Sequence, residues 1–156
     1  MSVKALEDAL VARLKAQLVD HPDLATPLVL EVYGHQDYAD VPEVNMVTPS
    51  IAVVYTGYTP GERADQAGTI QSIAFGWTIV VNVASAQQSA RGDGVRDEAS
   101  PIFDAVLAAL LGWRPLKRFQ PLKLEPAPGA AVSDAGFGYY PIAFSTTATY
   151  RGTPAP

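Results

Sequence analysis

The sequence predicts an α+β fold: a mostly antiparallel sheet of about five strands with two helices packed on one face. Three observations predict it. The stretch 72–84 alternates strictly, with Ile73, Phe75, Trp77, Ile79, Val81 and Val83 on one face. Apolar residues recur at three- and four-residue spacing near each end of the first hundred or so residues, at 3–18 and about 95–111. The order is helix, three strands, helix, two strands, without the strand–helix–strand alternation of a doubly wound sheet.

Residues 3–18 predict an amphipathic helix. Val3, Leu6, Leu10, Leu14 and Leu18 form its stripe, thickened by Ala9 and Val11, while Glu7, Asp8, Arg13 and Lys15 lie mostly off it. Ser2 is its candidate cap, and Asp20, His21 and Pro22 end it. A short strand is expected at 28–34, then a loop at 34–49 carrying Asp37, Asp40, Glu43, Pro42 and Pro49. A second strand at 50–57 is apolar on both faces and so belongs inside the sheet. Residues 57–68 are rich in turn formers and predict a linker too long for a tight hairpin.

The long strand follows. It runs to about twice the usual five or six residues. Its second face is small and weakly polar: Ser72, Ala74, Gly76, Thr78, Asn82 and Ala84, with Val80 the exception. Such a face suits an ordinary solvent side, a contact surface or the inside of a closed ring. After a polar loop at 85–94, Ile102, Phe103, Val106, Leu107, Leu110 and Leu111 predict a helix over about 95–111. Ser100-Pro101 would suit a later start, as cap and first helical residue. Gly112 is the expected stop, Pro115 forbids resumption, and Arg114 is placed to cap the last carbonyls. A strand is expected within 116–124, a Pro/Gly/Ala linker at 125–136, and a last strand over 137–150. Pro141 cannot donate to a ladder, so it marks an edge or a bulge. Residues 1–150 read as one domain and 151–156 as a loose tail.

Composition narrows the function classes. Net charge is −5, which argues against a general nucleic-acid binder and does not exclude DNA passing nearby without being held, since an acidic lining repels phosphate. The chain has no cysteine, hence no disulfide and no thiolate metal site. No stretch approaches the apolar length of a membrane span, and Met1-Ser2-Val3-Lys4 leads into no signal core, so synthesis in a cytoplasm is expected. His21 and His35 are the only histidines. His35, Gln36, Asp37 and Asp40 match no metal-ligand spacing, and no nucleophile elbow or phosphate loop is present. Arg91-Gly92-Asp93 spells an adhesion tripeptide that chance in a Gly-rich loop accounts for. No catalytic, cofactor-binding or metal residue is assigned, no cofactor is called for, and no enzymatic activity is expected.

Two segments carry a resemblance. Leu6-Glu7-Asp8-Ala9-Leu10-Val11-Ala12-Arg13-Leu14 and Ala105-Val106-Leu107-Ala108-Ala109-Leu110-Leu111-Gly112-Trp113-Arg114-Pro115 resemble the small tail-completion proteins of Mu-like phages and prophages. These are similar to the tail terminators of long-tailed phages. The resemblance implies a structural virion protein, made in the host cytoplasm, that forms a ring, expected to be a hexamer, on the head-proximal end of the tail tube. Such a ring ends tube polymerisation and docks head or neck. It implies partners in other copies of the chain, the tube protein and a neck or head-completion protein, with DNA passing unbound and no membrane.

If the ring forms, Tyr58, Glu62 and Arg63 are expected to touch a neighbour or the tube, and Gln87, Gln88 and Arg91 to make another contact. The Trp77 face and Trp113 are expected in the core. The alternatives are a neck adaptor between head and tail, or a small ligand-binding or hydrolytic α+β domain.

Overall fold

The computed structural model describes residues 3–84 and 93–153. Its elements are α1 (Val3–Leu18), β1 (Glu31–Tyr33), α2 (His35–Asp40), a 3-10 turn (Glu43–Asn45), β2 (Ser50–Arg63), β3 (Ile70–Val83), α3 (Asp93–Leu110), β4 (Lys123–Glu125), β5 (Ala131–Val132) and β6 (Gly138–Arg151). This is an α+β chain with a six-stranded mixed sheet in the order β1-β2-β3-β6-β4, β5 pairing with β6. The β2–β3, β3–β6, β4–β6 and β5–β6 pairs are antiparallel, and only β1 runs parallel to β2.

The alternation predicted for 72–84 is observed. Phe75, Trp77, Ile79, Val81 and Val83 are buried, while Ser72, Ala74, Gly76, Thr78 and Val80 are half-buried. Cross-strand register extends that face sideways: Val53, Ile79 and Ile142 form one row, and Tyr55, Trp77, Phe144 and Leu124 another. Trp77 lies 5.0 Å from Tyr55, ring to ring, and its Nε1 has no hydrogen-bond partner among the described residues. Leu6, Leu10, Leu14 and Leu18 of α1 and Ile102, Val106, Ala109 and Leu110 of α3 join these strand residues, Leu124 excepted, in one apolar cluster. Burial of that many aliphatic and aromatic side chains, each worth about 1.5–3 kcal/mol, is what opposes the chain entropy.

α3 begins at Asp93, so Pro101 lies within one continuous helix and Ser100 does not cap it. Gly112 takes φ +75° beyond the last turn, the left-handed geometry that glycine adopts without strain. The side chain satisfying a late carbonyl is not Arg114. Arg13 reaches across from α1, donating Nε to Ala109 O at 3.0 Å, with its guanidinium 5.4 Å from the Trp113 ring centroid. Trp113 is half-buried at the core margin. Leu111, read as part of the apolar stripe, is 54 % exposed.

Four expectations are corrected. The loop at 34–49 contains α2 and the 3-10 turn; neither buries a residue, so no apolar period announced them. The strand at 28–34 shrinks to three residues. The linker at 125–136 contains the two-residue β5. The largest change is at 57–68, where β2 continues to Arg63 and, with β3, forms one long hairpin turning at 64–69. Gly57 carries φ +106° at a register shift between Tyr55 and Gly57, and a second shift falls between Pro60 and Arg63. Bulges absorb the glycines and the proline that read as a break in the sequence. Pro141 sits inside β6, but in the gap where β5 has ended and β4 has not begun, so that side of the strand is locally an edge.

The core face predicts a sharp contrast along one sheet. Phe144→Ala, in the Trp77 row, should lower unfolding free energy by about 3–5 kcal/mol. Tyr58→Ala, on the same face but 65 % exposed, should change it by less than about 0.5 kcal/mol. Urea midpoints of the two variants check this; equal losses would mean that the core extends to the hairpin end.

Candidate assembly surface

The distal half of the hairpin is the most exposed part of the sheet. From Tyr58 to Arg63 every residue of β2 is exposed. Extra residue Thr56 at the first bulge resets the alternation, so Tyr58 pairs with Phe75 and turns to the core side of the sheet. There Phe75 is covered by Phe119 and Tyr150, at ring distances of 5.8 and 6.0 Å, while Tyr58 is left open. The turn is held by Asp65. Its carboxylate accepts from the Thr69 hydroxyl and from Ile70 N, and these bonds lower its pKa. Glu62 and Arg63 are exposed and make no ion pair among the described residues. The Arg63 side chain lies along the turn, close enough to Gly68 that a Cβ there would meet it at 3.3 Å. Tyr58, Glu62 and Arg63 thus share one hairpin arm. Gln87, Gln88 and Arg91 lie outside the described residues, as does Gly92 of the tripeptide, whose Asp93 begins α3.

The two edges of the sheet differ. β1 covers β2 only from Ser50 to Ala52. Beyond it His35 Nδ1 accepts from Tyr55 N at 3.0 Å, an imidazole standing where a strand would. Past Tyr55 no strand flanks β2 on that side among the described residues. The opposite edge is largely covered: Gln120 N donates to Thr147 O at 2.8 Å and Arg118 Nη2 to Thr149 O at 3.2 Å. The Arg118 guanidinium also lies 3.8 Å above Tyr150. β4 continues that edge, and its Leu124 is 46 % exposed.

On the small-residue face, Thr56, Thr59, Ala74, Gly76, Thr78, Ala143 and Ser145 floor a shallow concavity of about 490 Å3, walled by Lys123, Glu125, Pro126 and Pro128. Gly76 is required there, since a Cβ would stand 2.5 Å from Thr56 Oγ1. Ser145 Oγ donates to Glu125 at 2.7 Å, which lowers the Glu125 pKa, and Lys123 stands 3.6 Å from the same oxygen.

Polar groups elsewhere are engaged in holding elements together. Ser133 Oγ (2.6 Å) and Tyr139 OH both donate to the Glu43 carboxylate, tying the 3-10 turn to the β5–β6 pair. These bonds lower the Glu43 pKa; burial, then the Glu43 carboxylate, raise that of Tyr139. Tyr38, pushed up to about 12 by burial and then by Glu43, donates to Asn82 Oδ1 at 2.8 Å, and buried Asn82 donates to Ser50 Oγ at 3.1 Å. A cavity of about 300 Å3 is lined by Lys4, Glu7, His35, Gln36 and Tyr55. Lys4 is bound to Glu7 at 2.7 Å and Asp8 at 2.9 Å, which raises its pKa, and His35 Nδ1 is occupied. Among the described residues no three His, Asp or Glu side chains are grouped to hold a metal ion. None of those helices is long and apolar enough to cross a membrane.

Long pairing, an exposed arm and an edge that no strand flanks among the described residues set the β2–β3 hairpin apart. The family model of the phage tail terminator protein matches residues 6–154. The chain belongs to that family, and so is a structural protein of the virion tail. No curated protein matches it. It is similar in structure to a chain from the virion of a native gene transfer agent particle, at a TM-score of 0.57 and 18 % identity. The match covers 94 % of this chain and 96 % of that one, a likeness of fold.

The Glu43 tie has a definite pH sign. Its folded pKa lies below the ordinary 4.5, so its contribution is present above the unfolded value and lost as pH falls through the folded one. Glu43→Gln should be less stable than the parent at neutral pH and lose less on acidification below about pH 4.5. Urea midpoints across that range measure it; parallel acid limbs would show that Glu43 carries no such tie.

Proposed function

We propose that this chain closes into a ring, with six copies expected, on the head-proximal end of the tail tube, where it ends tube polymerisation and presents the docking surface for head or neck. The observation that carries the reading is the hairpin arm: β2 and β3 are fourteen residues long each and pair from Ser50–Asn82 out to Arg63–Gln71, yet β2 is buried only to Val53 and exposed throughout from Tyr58. A strand pair far longer than its own core needs a partner to repay the ordering of its outer half. A ring supplies that partner through heterologous contacts, one patch meeting a different patch on the next copy.

Tyr58, Glu62 and Arg63 are the arm's contribution to a neighbour or to the tube. An aromatic ring with a phenol, and an arginine, are residue types that carry interface energy. Gln87, Gln88 and Arg91 are assigned to a second contact. The tube protein and a neck or head-completion protein are the further partners. The net charge of −5 fits a channel through which DNA moves without being held. No catalytic step is assigned, because the polar side chains described above are spent on structural ties.

Light scattering of the purified chain, with negative-stain images of the same sample and of tails carrying it, tests the reading. A closed ring, or density at the head-proximal end of the tail, is the expected result; a strict monomer absent from purified tails would overturn it. Arg63→Glu should weaken assembly at least tenfold while leaving the subunit's circular dichroism and urea midpoint unchanged. Loss of the fold instead would remove Arg63 from the interface.

A further inference from the structure

We propose that the sheet continues from one copy to the next, the outer edge of β4 adding to the free edge of β2 in a second copy of the chain. The inference rests on the ring reading and specifies its contact. Four observations point to these two edges.

The strand senses agree. β2, β3, β6 and β4 are each antiparallel to the next, so β4 runs opposite to β2. Placed beside the next copy's β2, it extends the same alternation. The heights agree as well. Leu124 stands in the same row as Tyr55, and Lys123 in the same row as Gly57. β1 and His35 occupy the β2 edge as far as Tyr55, so the open edge begins one same-face step further along, at Tyr58. Closing a sheet into a ring requires a stagger of this kind between strands.

The exposed apolar side chains agree too. Leu124 pairs with Phe144 and Tyr58 with Phe75, so both are on the core side of the sheet, one at each edge, 46 % and 65 % exposed. Setting Leu124 opposite Tyr58 places an aliphatic and an aromatic side chain as cross-strand neighbours, an arrangement that stabilises a pair of strands. The charges agree in sense. In that antiparallel register Lys123 lies opposite Thr59, on the side of the contact toward the partner copy's Glu62, which makes no ion pair among the described residues, and Glu125 lies opposite Gly57, away from it. Pro60, lacking an N–H, ends the edge that can be added to.

The chain has no cysteine, which makes a direct test possible. Within one copy, Tyr58 and Leu124 are separated by β3 and β6, three strand spacings or roughly 14 Å, too far for a disulfide. The double variant Tyr58→Cys/Leu124→Cys, oxidised in assembled rings or on tails, should run as a ladder of covalent multimers on a non-reducing gel. Each single variant should stay at monomer mass. A charge swap reads the same contact separately: Lys123→Glu should reduce the ring fraction at low salt, and Glu62→Lys in the same chain should restore it. Rings of unchanged mass that form no ladder, with no rescue by the swap, would overturn the strand addition and leave the ring standing. A monomer absent from tails would overturn both.

Discussion

β2, β3 and β6 are each fourteen residues long and paired along their length, with two bulges in β2, whereas on β2 the apolar cluster stops short. Rows through Ile51, Val53 and Tyr55 are packed into the cluster with α1 and α3; beyond Gly57 the β2 side of each row is open, while Phe75 and Ala148 in those rows stay buried. Backbone hydrogen bonds alone add little net stability, because water satisfies the same groups in the unfolded chain. The outer half of the hairpin is therefore held by local devices: the Asp65 turn, Gln71 Nε2 donating to Gly61 O at 2.8 Å, and the Phe119 and Arg118 cover over Phe75 and Tyr150. Phe119 is buried at the near side of this extension and Tyr58 is not, which marks where the subunit's own material runs out.

The sheet edges obey a second rule. A strand edge left bare invites pairing with any other chain, and natural proteins cover most of their edges. Here α2 and the 3-10 turn follow the three-residue β1, with His35 accepting from Tyr55 N and Glu43 gathering Ser133 and Tyr139. The segment after Gly112 guards the β6 edge through Gln120 and Arg118. The polar side chains that could have suggested chemistry are consumed in this work. In the cavities lined by Lys4, Glu7 and His35, or by Tyr38, Glu43 and Tyr139, these polar groups are already bonded: Lys4 to Glu7, His35 to Tyr55 N, Tyr38 to Asn82 and Tyr139 to Glu43.

What could be read from the sequence followed the strength of its periodicity. The leucine stripe of α1 and the aromatic face of β3 each repeat over several turns or pairs, so burial imposed a pattern that survives as sequence. The Gly112-Trp113-Arg114-Pro115 segment marked a helix end and carried the family resemblance. α2 was invisible because a six-residue helix with no buried side chain leaves no stripe. The far half of β2 was hidden by its own construction: Gly57, Pro60 and Gly61 are what a bulged, twisted strand needs and also what a loop is made of. Of the assigned contact residues, Tyr58, Glu62 and Arg63 were placed by residue type on a supposed linker and lie instead on an ordered strand. The His35 and Glu43 ties had no sequence signal, since each joins residues twenty or more positions apart.

On the ring reading, a subunit that exists free and then closes into a ring faces opposed demands on its edges. An edge open enough to pair is open to the wrong partner, and an edge fully blocked cannot assemble. The chain divides the problem by length. β1 covers β2 for three residues, Pro60 removes a donor, and between them lies a stretch too short for open-ended aggregation. β4 is equally short, begins with exposed Lys123, and has Pro121 and Pro126 on either flank. Two such stubs gain little from a single pairing. Repeated around a closed ring, each contact is reinforced by the others, because no copy can leave without breaking two of them. On the ring reading, closure and not the strength of any one edge would hold the assembly together, and a free subunit would stay apart until a template brings its copies into register.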